Sequence, residues 1–72
     1  MNDTKQLAKL EFVAFCIEQY KTMANKGGRE TEQLFEKYGV IHFLLEHYEI
    51  LHTQSAQQIQ DEIVEFLNKH QK

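Results

Sequence analysis

Consecutive apolar residues Phe12-Val13-Ala14-Phe15-Cys16-Ile17 interrupt a segment that otherwise reads as an amphipathic helix. Neighbouring side chains on an α-helix point about 100° apart, so this stretch is apolar around most of its circumference and cannot simply bury one stripe. Leu7, Leu10, Val13, Ala14, Ile17 and Tyr20 share one face, while Phe12, Phe15, Cys16 and Met23 spread over the other. The helix therefore needs cover on two sides. Either the remaining helices wrap both, or a second polypeptide supplies one; Phe12, Phe15 and Cys16 are the expected partner interface, Phe12 and Phe15 lying about 60° apart on the helix.

Size sharpens that demand. A chain of 72 residues is one domain, spanning 1–72, and so small a core supplies only a few kcal/mol of net stability. A single cysteine excludes an internal disulfide, and no clustered Cys and His residues offer a structural metal. Tight helix packing or association remains, so a protein partner or homo-oligomer is expected. The net charge of −3, with both signs interspersed, lacks the basic stripe of a nucleic-acid or membrane-surface binder, and neither is expected. The polar start and the brevity of the apolar run fit neither a signal peptide nor a membrane span, which predicts a cytoplasmic protein.

No proline breaks the chain, and Glu, Gln, Lys and Leu abound, so the expected fold class is all-α: a compact four-helix domain, with long first and last helices and two shorter ones between. Asp3 or Thr4 caps the first helix, Asp3 and Gln6 resembling a capping box, and periodicity runs over about 3–24. Gly27-Gly28 reverses the chain through left-handed backbone. A second helix covers about 29–38, with Leu34, Phe35 and Tyr38 inward and Gly39 as its stop. The third, about 40–48, is apolar on most sides and should be the most buried. Residues 49–54 read as a connector with two buried anchors, Ile50 and Leu51. Ser55 and Gln58 form a capping box opening the last helix, about 56–69, whose Ala56, Ile59, Ile63, Phe66 and Leu67 recur every three or four residues. Helices one, three and four should form the core.

The segments "FCIEQYK", "LFEKYGV" and "YEILHTQ", the last with "LHTQ" after an aromatic residue, resemble a family of small bacterial proteins of unknown function over nearly the whole chain. The resemblance implies a compact helical protein without assigned activity, sometimes encoded beside ADP-ribosyltransferase-like toxins, and hence an accessory or antitoxin-like role. It carries no functional residues over to this chain.

Chemistry is sparse. His42, His47 and His52 are spaced five apart, which rotates successive side chains by about 140° and makes them diverge, so no metal is expected. His42 pairs more simply with Glu46 at spacing four. Cys16 lacks the cationic or basic neighbour that activates a thiolate and reads as a small buried hydrophobe. Gly27-Gly28 lacks the strand and Gly-Lys-Ser/Thr of a phosphate loop. Helix, Gly39 and helix resemble a helix-turn-helix, yet residues 41–48 offer no Arg, Lys, Asn or Gln to base edges. No catalytic residue and no cofactor is expected.

One polar cluster stands out: His52, Thr53 and Gln54, with His47, before the last helix. Structurally it would cap and brace the connector. Functionally it would line a pocket. The expected function is a non-catalytic protein–protein interaction module; the alternative is a small-molecule or nucleotide-sensing domain with a pocket near His52.

Overall fold

The computed structural model describes the backbone of residues 3–70 and the side chains of residues 5–70. The side chains of Asp3 and Thr4, the expected first cap, lie outside that range. Five helices follow in order: α1 (Asp3–Ala24), α2 (Gly28–Lys37), α3 (Val40–Glu46), α4 (Tyr48–Leu51) and α5 (Ala56–His70). The described residues form an all-α globule with the long helices at the two ends of the sequence, as expected. The fifth element is the difference, since the expected connector begins with a helical turn.

That turn arises where α3 breaks at His47, whose backbone (φ −106°, ψ 20°) leaves the helical region before Leu51 N–H restarts the pattern by donating to His47 O at 2.9 Å. Only one of the two expected anchors is buried: Leu51 enters the core, whereas Ile50 on the next spoke points out. Tyr48 meets Phe12 edge to face, centroids 5.3 Å apart, and Lys5 pairs with Glu49 at 3.0 Å, so α4 leans on the N-terminal half of α1.

The inward face of α1 is rotated from the expected one. Val13 and Cys16 are buried, with Phe12, Ile17 and Tyr20 half-buried beside them, while Leu7, Leu10 and Ala14 are exposed. Nearly uniform hydrophobicity around α1 leaves its own periodicity without directional information, so the packing partners choose the face. One partner is α2, a core element against expectation: Phe35 is fully buried and meets Tyr20 edge to face at 5.4 Å. Burying such a side chain contributes roughly 1.5–3 kcal/mol. Thr31, one turn earlier, is buried too, and its Oγ1 donates to Gly27 O at 2.9 Å. Val40 and Leu44 from α3 and Ile59, Ile63 and Leu67 from α5 complete the core, with Ile41, Phe43 and Leu45 of α3 half-buried. On α5 the exposed Ala56 and half-buried Phe66 give way to Gln60 as an inward residue.

The turns are built differently from expectation at one of two places. Between α1 and α2 the left-handed residue is Asn25 (φ 57°), not a glycine; Lys26 N–H donates to Lys21 O at 3.0 Å and Asn25 N–H to Thr22 O at 3.3 Å, the paired bonds of a Schellman cap. Gly27 is extended (φ −76°, ψ 159°) and caps α2, and Gly28 already belongs to it. Gly39 does take the left-handed conformation (φ 74°), ending α2 and starting α3. The Ser55–Gln58 capping box forms in both directions: Gln58 N–H donates to Ser55 Oγ at 3.2 Å, and Ser55 N–H to Gln58 Oε1 at 3.4 Å.

Candidate functional site

The break at His47 separates α3 from α4, and the turn after Leu51 leads into α5. A cleft of about 220 Å³ opens there, lined by Phe43, His47, Ile50, Leu51, Gln54 and Glu62. Phe43 of α3 and His47, the residue at which that helix ends, lie one turn apart with ring centroids separated by 5.1 Å. Phe43 also stacks on Phe66 of α5, with ring centroids 4.5 Å apart. The floor is apolar. Of the polar groups, Gln54 has its Oε1 buried without a hydrogen-bond partner among the described residues, while the Glu62 side chain is exposed.

The polar cluster read from the sequence divides into two. His52 and Thr53 serve the backbone: His52 Nδ1 lies 2.8 Å from Tyr48 O, its ring stacked on Tyr48 at 4.6 Å, and Thr53 Oγ1 donates to Ile50 O at 2.7 Å. Both close the end of α4 and neither lines the cleft. Gln54 and His47 do line it. Phe43 was read only as a core residue of its helix, Ile50 as a buried anchor of the connector, and Glu62 was not singled out, because the cleft is formed between separate elements. The spacing of Phe43 and His47 was the available signal.

The expected interface residues separate as well. Cys16 is fully buried and burial pushes its thiol up to about 12, so it is a core residue of its own protomer and drops out of the expected interface. Phe12 is half-buried against Tyr48. Phe15 remains 44% exposed, and Leu7 and Leu10, expected inward, are each 57% exposed. The solvent-facing side of α1 thus carries Leu7 and Leu10 on one edge and Phe15, of those singled out, on the other, with Glu11 and Glu18 between them.

Charge pairs lie on the surface. His42 Nε2 approaches Glu46 Oε1 at 3.6 Å, as its spacing suggested, and His47 Nε2 approaches the same oxygen at 3.9 Å. Lys5 holds the Glu49 carboxyl below its ordinary value, first through their hydrogen bond and then through its charge. Among the described residues no three His, Cys, Asp or Glu side chains converge on a common point, and no helix is long and apolar enough to cross a membrane.

No curated protein and no solved structure matches this chain. The profile of the family described as "Protein of unknown function (DUF3791)" matches residues 11–70, and the chain belongs to that family.

Proposed function

We propose that the protein is a non-catalytic interaction module that associates with itself or with a protein partner through the outer face of α1. One observation carries this reading: Leu7 and Leu10, one turn apart, stay 57% exposed on a helix whose other side is already packed. Leu7, Leu10, Ala14 and Ile17 recur at the three-and-four spacing of a helix–helix seam, and Ile17 is half-buried already. The exposed Leu7 and Leu10, one turn apart on that seam, favour a docking role over solvation. The non-catalytic part of this reading is supported by Cys16, whose thiol is buried and kept protonated by that burial. An antitoxin-like role, with a toxin as the partner, is the form of this reading that the family resemblance suggests.

Sedimentation over a concentration series, with Leu10→Lys as the companion variant, tests it. Association that rises with concentration and disappears in Leu10→Lys, at an unchanged melting temperature, is the expected result. A protein that stays monomeric throughout, and that co-purifies from its host with no partner sensitive to Leu10→Lys, overturns it.

A further inference from the structure

Given the docking role proposed above, on which this rests, we infer that α1 receives an amphipathic helix of another protein, its apolar stripe flanked by Lys or Arg, in preference to a second copy of this chain. Charge makes the choice. Leu7, Leu10, Ala14 and Ile17 form the seam, and Glu11 and Glu18 follow Leu10 and Ile17 by one residue, which sets both carboxylates along the same flank of it. Both are exposed.

The cations of α1 are engaged elsewhere. Lys5 and Lys9 continue the line of the buried Val13 at spacings of four and act on α4, where Lys5, by hydrogen bond and charge, and Lys9, by charge, hold the Glu49 carboxyl below its ordinary value. Lys21 pairs with Glu18 at 3.3 Å, beyond the C-terminal end of the seam. Glu11 is left over. It makes no ion pair among the described residues, and its neighbours one turn away, Leu7, Ala8, Ala14 and Phe15, are all apolar. A cation brought in beside the seam would pair with Glu11, more strongly as the docked helix displaces water. A second copy brings none to that position. Packed antiparallel, with Leu10 against Ala14, two copies of the seam set Glu11 against Glu11; packed parallel, they align Lys21 with Lys21.

Two dye-labelled helical peptides of about three heptads are the probes, identical in their apolar stripe and carrying either Lys or Glu at the flanking positions. Each is titrated with the full chain and followed by anisotropy, and amide shifts in the isotope-labelled chain locate the contact. The lysine peptide should bind about ten-fold more tightly than the glutamate peptide at about 50 mM salt, with the gap narrowing at about 0.5 M, and more tightly than the chain binds itself. Shifts should centre on Leu7, Leu10, Glu11 and Ala14. Glu11→Gln should weaken the lysine peptide about two- to three-fold, whereas Glu32→Gln, exposed on α2, should leave it unchanged. Equal binding of both peptides, indifference to Glu11→Gln, or self-association tighter than the lysine complex would overturn the choice of partner while Leu10→Lys still abolished docking. Failure of either peptide to bind, in a chain that also stays monomeric, would remove the docking role itself.

Discussion

Gln60 Nε2 donates to the carbonyl oxygen of Cys16 at 3.5 Å, joining α5 to α1 through a contact between two buried residues. The same amide leaves its Oε1 buried without a hydrogen-bond partner among the described residues. One half of the side chain thus fixes the register between the two long helices while the other half costs desolvation. Gln60→Met keeps the volume and removes the orphan acceptor, so its stability in urea should fall within about 1 kcal/mol of the parent, or exceed it. Gln60→Glu should lose roughly 3–5 kcal/mol near pH 7.5, because it buries a carboxylate without a cation. Burial raises that carboxyl's folded pKa, so the unfolded state binds fewer protons at neutral pH and stability should return as the pH is lowered toward the ordinary carboxylate value. Equal losses in both variants would mean that the hydrogen bond, not the burial, dominates.

Cys16 should behave as a core atom. Its thiol stays protonated in the fold up to about pH 12, against an ordinary value of 9.0, because burial disfavours the thiolate. Between those values the unfolded chain has lost the proton and the folded one keeps it, so stability should be intact below pH 9 and decline as pH rises from 9 toward 12. At pH 8 a chromogenic disulfide reagent should react only as fast as the domain opens. Rapid stoichiometric labelling of the native protein would show that Cys16 is accessible and that the packing of α1 described above is wrong.

The Lys5–Glu49 pair should matter to titration far more than to folding. Both side chains are about two-thirds exposed, so solvent screens the pair and Lys5→Ala should scarcely change the melting temperature. The depressed Glu49 carboxyl contributes what stability it does above its ordinary value of 4.5, and loses it as the pH falls through its folded value. In Lys5→Ala the Glu49 midpoint, followed by carboxyl NMR, should move up toward 4.5. An unchanged midpoint would place Lys5 elsewhere in solution.

Helix content, the Gly39 stop and the Ser55–Gln58 cap were legible because they are local, whereas the left-handed turn read at Gly27-Gly28 lies at Asn25. Gly39 and the Ser55–Gln58 box each act through bonds within a few residues, and both formed as read. The face of α1 was not legible, since a helix apolar on all sides is oriented by its neighbours. Thr31 and Gln60 were invisible for a related reason: a polar residue becomes an inward residue only when a particular backbone oxygen lies within reach, Gly27 O for the first and Cys16 O for the second. Of the polar cluster, the sequence located the segment but could not separate His52 and Thr53, which bond α4, from Gln54, which faces the cleft.

The two turns offer opposite responses to substitution. Gly39 at φ 74° holds a conformation that strains any residue with a Cβ, so Gly39→Ala should cost about 1 kcal/mol although open space surrounds the site. Gly27 has equally open surroundings but ordinary backbone, and it occupies the cap position of α2 without a side chain to accept a hydrogen bond. Gly27→Asp should therefore stabilise by roughly 0.5–1 kcal/mol, by capping α2 and by reducing the freedom of the unfolded chain. Asn25 bears the strain in that first turn, and Asn25→Val should cost about 1–2 kcal/mol while Asn25→Gly is tolerated. Urea midpoints of the four variants check the set. If Gly27→Asp were as damaging as Gly39→Ala, the left-handed residue would sit at the glycine and not at Asn25.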